Sequence, residues 1–253
     1  MNITLAGTSS GMAVARRAPS ALFVEAGSDG VLIDAGDGTA RQLVRLGLDY
    51  NRIRAVLITH MHPDHAAGLI GLFQLMHLSG RGEPVSVFVP DSVRSRMDGL
   101  LPVYQIFQEK WPFDIRFEGL KDGMDVAFFS FTLTAVRNGH LKKNASYART
   151  HGLGTECYSL LFGETKGPRC LYTSDIDDFS HLEDRTGNVR MLIPECTHVT
   201  VEHGVRFAEK HGIPRTVFTH IPPDVDERIL DYRSRYPEPP VRFAEDGDTI
   251  EIT

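Results

Sequence analysis

Short apolar runs alternate with stretches of helical spacing along most of the chain. Ile3–Ala6, Ala21–Ala26 and Val31–Ile33 predict strands, the last two joined across the turn residues Gly27-Ser28-Asp29-Gly30. Thr39–Leu46 sets Ala40, Leu43, Val44 and Leu46 at near-helical spacing. Ala55–Ile58 predicts a buried strand, and Ala66–Leu78 a helix with an apolar face through Leu69, Ile70, Leu72, Phe73, Leu75 and Met76. Val85–Val89 predicts the next strand, with a helix starting at Asp91, while Gly99–Pro112 fits neither period. Val126–Val136 predicts one long strand or a pair, and the polar, glycine-containing Asn138–Glu156 a loop. Further strands are expected at Cys157–Phe162, Cys170–Tyr172, Val189–Ile193, Thr216–Phe218, Val241–Phe243 and Thr249–Ile252. Thr200–Lys210 and Asp224–Tyr236 predict helices, the second ended by Pro237.

This alternation implies an α/β chain. No low-complexity tract or clean linker interrupts it, so one domain over 1–253 is expected. The pattern also holds a weak internal echo. Ala55–Ile58 runs into Thr59-His60, and Thr216–Phe218 into Thr219-His220. Leu32–Asp34 and Leu171–Asp175 are likewise strands that end in an aspartate. Two similar halves would deliver polar residues from strand ends to one edge of a layered sheet, where sites are usually built.

Composition narrows the classes. The chain has 253 residues, 42% hydrophobic, enough for a sizeable core. The net charge of −6 argues against broad electrostatic binding of nucleic acid, so such a partner is not favoured. Three cysteines, none in a Cys-x-x-Cys spacing, do not make a disulfide framework, and a reducing cytoplasm is the expected setting. The start of the chain carries no secretory signal pattern, and no apolar run approaches the roughly 18 residues of a membrane helix, so no membrane partner is expected.

Histidine is the unusual residue, with eleven copies. The segment His60-Met61-His62-Pro63-Asp64-His65 concentrates four ligand-type side chains behind an apolar strand. In extended chain, residues two apart point the same way, so His60 and His62 can reach one ion together. Pro63 favours a turn, which redirects Asp64 and His65 towards a second ion. Imidazole and carboxylate suit zinc and similar metals.

The segment resembles the His-x-His-x-Asp-His signature of the metallo-β-lactamase superfamily, and the resemblance extends over nearly the whole chain. Val136-Arg137-Asn138-Gly139-His140, Tyr172-Thr173-Ser174-Asp175, Phe218-Thr219-His220 and Leu32-Ile33-Asp34-Ala35-Gly36 match its other motifs. The resemblance implies a four-layer αβ/βα sandwich, two mixed β-sheets flanked by helices. It also implies two divalent metal ions, Zn²⁺ before Mn²⁺ or Fe²⁺. His60, His62 and His140 would hold the first ion, Asp64, His65 and His220 the second, and Asp175 would bridge them. Asp34 would accept a hydrogen bond from a ligand imidazole. Bound there, the ions would lower the pKa of the attacking water towards neutral, with Asp64 as the group that would orient it and take its proton.

Flanking residues resemble the ribonuclease Z-like and phosphodiesterase branch: Asp64-His65-Ala66-Ala67-Gly68-Leu69, the opening Gly7-Thr8, Pro194-Glu195-Cys196-Thr197, and His198-Val199-Thr200, whose histidine would assist catalysis. Ala13 and Ala18 depart from that branch's pattern, and no Gly- and Pro-rich arm that grips transfer RNA is evident between Gly99 and Lys121. The expected activity is therefore a phosphodiesterase acting on a small-molecule or short substrate. The alternatives are an ester, lactone or amide hydrolase with the same metals, or a transfer RNA 3′-processing endonuclease. A di-iron oxygen-handling relative would carry glutamate in place of His62. The loop after His140, with Lys142, Lys143, Arg149 and His151 and with Tyr147 between them, is a candidate basic lid, and the resemblance admits a homodimer.

Overall fold

A computed structural model describes residues 1–252 apart from 129, 165, 166 and 239, with only the backbone of Asp29. Two seven-stranded sheets form the centre. The first gathers β1 (Asn2–Gly7), β2 (Ala21–Ala26), β3 (Asp29–Ile33), β4 (Ile53–Leu57), β5 (Val85–Pro90), β6 (Ile115–Leu120) and β14 (Asp248–Glu251), in the order β14-β1-β2-β3-β4-β5-β6. The second gathers β7 (Asp125–Ala127), β8 (Thr132–Arg137), β9 (Tyr158–Gly163), β10 (Arg169–Tyr172), β11 (Val189–Ile193), β12 (Thr216–Phe218) and β13 (Val241–Phe243), in chain order across the sheet. The sheets face each other across a core that includes Leu5, Val24, Ile33 and Leu57 from one and Leu133, Leu160, Phe162 and Tyr172 from the other. On the outer face of the first sheet lie α1 (Thr39–Arg45), α3 (Leu69–Leu78) and α4 (Asp91–Val103). On the second lie α6 (Val201–Lys210), α7 (Pro223–Glu227) and α8 (Ile229–Arg235). The helix–sheet–sheet–helix sandwich expected from the sequence is the observed fold.

The two sheets share one plan. In the first, pairs from β14 to β3 are antiparallel and those from β3 to β6 parallel. In the second, pairs from β7 to β10 are antiparallel and those from β10 to β13 parallel. Parallel strands covered on both faces read as near-continuous apolar runs, as β4 and β11 do. The plan matches β3 with β10, so the echo between Asp34 and Asp175 reflects equivalent strands. It matches β4 with β11 rather than β12, so the echo between His60 and His220 joins strands of different rank.

Several boundaries move. The expected helix over Ala66–Leu78 is two: α2 (Pro63–Ala66), with Pro63 in its first turn, then α3 after Gly68. Asp224–Tyr236 divides at Arg228. Val126–Val136 contains the paired β7 and β8, with position 129 outside the described residues. Asn138–Glu156 holds a 3-10 turn at Lys142–Asn144 and α5 (Ala145–Thr150), whose six residues bury no side chain and so leave no apolar period to read. The sequence reading passed over β6, although Ile115 and Phe117 are buried while Arg116 and Glu118 are exposed, the period of a half-buried strand. From 99 to 121 the chain forms the end of α4, a 3-10 turn at Gln108–Lys110 and β6, and no protruding arm.

The break at Gly68 is a packing necessity. Gly68 N–H donates to the Ala35 carbonyl at 2.8 Å, and Ala35 N–H to that of His65 at 2.7 Å. A Cβ on Gly68 would overlap the Gly36 carbonyl oxygen, and one on Gly36 the carbonyl oxygen of Asp64. The turn after β3 and the turn after β4 are thus clamped backbone to backbone. Gly68→Ala should destabilise the protein by about 1–3 kcal/mol through overpacking. Gly71→Ala, in the next helical turn with only the Ala40 Cβ near it at 3.9 Å, should stabilise by about 0.5–1 kcal/mol. Denaturant unfolding of both variants checks this, and equal effects would mean that the clamp carries no strain.

Candidate metal centre

Six strand ends deliver polar residues to one edge of the sandwich. Asp34 follows β3, Thr59 and His60 follow β4, and His140 follows β8. Asp175 follows β10, Glu195 follows β11, and His220 follows β12. The edge lies at the carboxyl ends of the parallel strands, where open α/β sheets usually bind ligands. Asp34, Ser174 and His220 adopt positive φ, at 59°, 50° and 52°. Non-glycine residues hold that conformation only where surrounding contacts enforce it.

The predicted residues converge. Ligand-type atoms of His60, His62, His140 and Asp175 lie within 4.8 Å of one another, as do those of Asp64, His65 and His220. Asp175 joins the two groups. Its Oδ2 is 3.8 Å from His60 Nε2 and 3.6 Å from His140 Nε2, and its Oδ1 is 3.2 Å from His65 Nε2 and 3.3 Å from His220 Nε2. Asp64 Oδ2 stands 3.6 Å from His65 Nε2 and 3.8 Å from His220 Nε2.

The residues fit divalent ions on a structural ground. His60 Nε2, His65 Nε2 and Asp175 Oδ1 are buried and have no hydrogen-bond partner. Unpartnered buried polar atoms are rare and costly, and ligation is an ordinary explanation for them. Nitrogen and carboxylate oxygen at the edge of a dry core are the ligand atoms zinc and its neighbours use.

Protonation follows burial and company. Burial, reinforced by the His65 imidazole, holds His60 well below the ordinary histidine range. Burial also lowers His140, to about 4, against the pull of Asp175. Both rings are therefore neutral, the form that ligates. For Asp175 burial opposes ionisation, but His220, His65 and His60 around it keep its carboxyl well below the usual carboxylate range. For His65 burial opposes charging, and the flanking Asp175 and Asp34 carboxylates outweigh it and raise the ring well above its usual value.

A buried network fixes the rings from behind. Asp34 Oδ2 lies 2.8 Å from His65 Nδ1 and accepts from Tyr172 OH at 3.2 Å. Asp34 Oδ1 accepts from Thr59 N–H at 2.8 Å and from its hydroxyl at 2.9 Å. Ser174 Oγ donates to Thr59 Oγ1 at 2.8 Å. His220 Nδ1 faces Ser20 Oγ at 3.0 Å. Sequence reasoning found Asp34 but missed Thr59, Tyr172, Ser174 and Ser20. The first three lie inside quoted motifs and could have been read from them, whereas nothing around Ser20 signals its part.

His198 stands at the rim, its side chain 37% exposed and its Nδ1 3.7 Å from Asp175 Oδ2. Both Glu195 carboxylate oxygens lie 3.0 Å from that nitrogen. Hydrogen bonding to Glu195 raises the His198 pKa against the effect of burial. Buried Glu195 also accepts from Ile176, Thr197 and His198 N–H at 2.8–2.9 Å, which pins it between the turns after β10 and β11.

The cysteines and several further histidines fall outside the centre. Cys157, Cys170 and Cys196 are buried free thiols. Burial pushes Cys196 well above its usual value, its thiol spent on the Thr219 carbonyl. His77 stacks on Trp111, with centroids 4.4 Å apart. His181 and His211 have acidic neighbours of their own: His181 groups with Asp177 and Asp178, and His211 lies 2.9 Å from Glu183. Among the described residues, no helix is long and apolar enough to cross a membrane.

The chain is similar to known proteins in sequence and in fold. Residues 30–221 match the family model for the beta-lactamase superfamily domain. The ribonuclease Z of Myxococcus xanthus is 26% identical over 305 residues, spanning 100% of this chain and 98% of that protein. That of Archaeoglobus fulgidus is 35% identical over 147 residues, covering 58% of this chain and 46% of its own length. In fold, human tRNase Z, short form, superposes with a TM-score of 0.75 at 20% identity, each chain covered in full. A diphosphatase from the PhnP family gives 0.74 at 21% identity, over 100% of this chain and 98% of that one. The chain belongs to the beta-lactamase superfamily, among the metal-dependent hydrolases related to ribonuclease Z.

Proposed function

We propose that the protein is a phosphodiesterase with two divalent ions, zinc by preference, acting on a small or short substrate rather than on folded transfer RNA. The observation that carries this reading is the Glu195–His198 pair beside the His/Asp cluster. Phosphoryl transfer needs charge neutralisation at the phosphoryl oxygens and a proton for the departing oxygen. Assigned roles follow the geometry. His60, His62 and His140 would hold one ion, Asp64, His65 and His220 the other, with Asp175 between. Bound there, the ions would supply Lewis acidity and a water pKa lowered towards neutral.

The chain's own groups do the rest. Asp64, half-buried and beside His65 and His220, orients the attacking water and accepts its proton. His198 is kept protonated by Glu195 at Nδ1 and donates its other N–H to the leaving oxygen. Asp34 holds His65 and Ser20 holds His220 in the ligating orientation. Net charge and the plain 99–121 segment support a substrate smaller than transfer RNA. A homodimer and a cytoplasmic setting complete the proposal by analogy with the ribonuclease Z relatives. A second reading, ester or lactone hydrolysis, is favoured by an apolar cavity against His62.

Bis-p-nitrophenyl phosphate assayed beside ester and lactone panels separates the two. Phosphodiester turnover well above that of the metal-stripped protein is expected, and turnover confined to esters or lactones would decide for the second reading. Asp64→Ala should abolish turnover in a protein that still unfolds cooperatively. His198→Ala should lower kcat by about 10²–10⁴-fold, the usual share of a proton-transfer group. Asp34→Asn should weaken metal binding by about 10–100-fold, measured by competition with a chromophoric chelator. An unchanged affinity would remove Asp34 from its role.

A further inference from the structure

The centre adjoins an apolar cavity of about 320 Å³. Small-molecule sites usually run from roughly 300 to 1,000 Å³. His62 lines both spaces, so a group in the cavity sits next to the reacting position. Pro90 and Val93, where β5 meets α4, form one wall. Leu141, Ala148 and Leu153, around α5, form the other. The Tyr147 ring stands among them, 74% exposed and with a face free for stacking. Arg96 Nη2 ties the two walls together, donating to the His151 carbonyl at 2.6 Å and to that of Gly152 at 3.2 Å.

Charge decides what can enter. Among the described residues, no lysine or arginine lines the cavity, although the same segment carries several. Lys142 is paired with Asp177 instead, and Lys143 and Arg149 are exposed away from the lining. The basic lid expected from the sequence therefore presents an apolar inner surface. Glu156 is the single carboxylate of the lining among the described residues, with Oε2 accepting from Ser92 Oγ at 2.7 Å. A buried phosphate or carboxylate would meet repulsion there, whereas an N–H donor would find an acceptor.

We propose that this cavity receives one substituent of the phosphodiester, a flat aromatic group with N–H donors on its edge, as a guanine base has. The proposal rests on the phosphodiesterase reading and adds the substrate class to it. Tyr147 supplies the stacking face, Val93 and Leu153 the apolar contact, and Glu156 the acceptor for the edge. The phosphate itself stays at the histidine cluster.

Two diesters with the same leaving group test this: methyl p-nitrophenyl phosphate and the p-nitrophenyl ester of guanosine 5′-monophosphate. Stacking on an aromatic side chain gives about tenfold or more per base, so the guanosine diester should lead by that factor in kcat/KM, chiefly through a lower KM. Tyr147→Ala removes only an exposed ring, and Val93→Trp fills the cavity. Each should shrink the lead several-fold, with thermal melts confirming that both variants fold. Equal kcat/KM for the two diesters, or a lead that survives both substitutions, overturns the cavity assignment while leaving the phosphodiesterase reading intact. Hydrolysis of neither diester by metal-loaded protein overturns both.

Discussion

The centre depends on one buried carboxylate. Asp34 sits in a positive-φ conformation at the end of β3 with no solvent access. An isolated charge there would be prohibitive, so its neighbours are set to receive it. Thr59 donates from the turn that leads to His60, His65 faces it from the turn after Pro63, and Tyr172 donates from the opposite sheet. One side chain thus joins β3, β4 and β10 and fixes the direction in which His65 points. Removing such a partner leaves an uncompensated buried group, and losses of about 3–5 kcal/mol are typical.

The doubled plan of the fold explains why distant segments meet. Each sheet changes from antiparallel to parallel pairing at the strand that carries an aspartate, β3 in one and β10 in the other. Face-to-face packing brings these two strand ends together, and the histidines follow from the neighbouring turns. The halves then diverge in use. Asp34 is buried behind His65, whereas Asp175 stands between the two histidine groups.

Much of this was legible in the sequence. Four ligand-type side chains in six residues, placed after an apolar run, have no ordinary structural reason. The resemblance then drew in His140, Asp175 and His220 from far along the chain. What stayed hidden was hidden for physical reasons. α5 is too short and too exposed to carry a period, so the segment that walls the cavity read as a basic loop. The pairing of β4 with His220's strand was misread because sequence similarity at strand ends says nothing of rank in the sheet. Ser20 and the apolar cavity are tertiary facts, made by segments that share no local pattern.

The fold leaves an asymmetric space, with the His/Asp cluster at the centre, the Glu195–His198 pair on one flank and an apolar cavity on the other. The two histidine groups around Asp175 are arranged for two ions. Calorimetric titration of the metal-stripped protein with zinc tests this most directly. Saturation is expected at two ions per chain, reduced to one or fewer when His65, held by Asp34, is replaced by alanine. Saturation at one ion in the unaltered protein, or no specific binding, would contradict it.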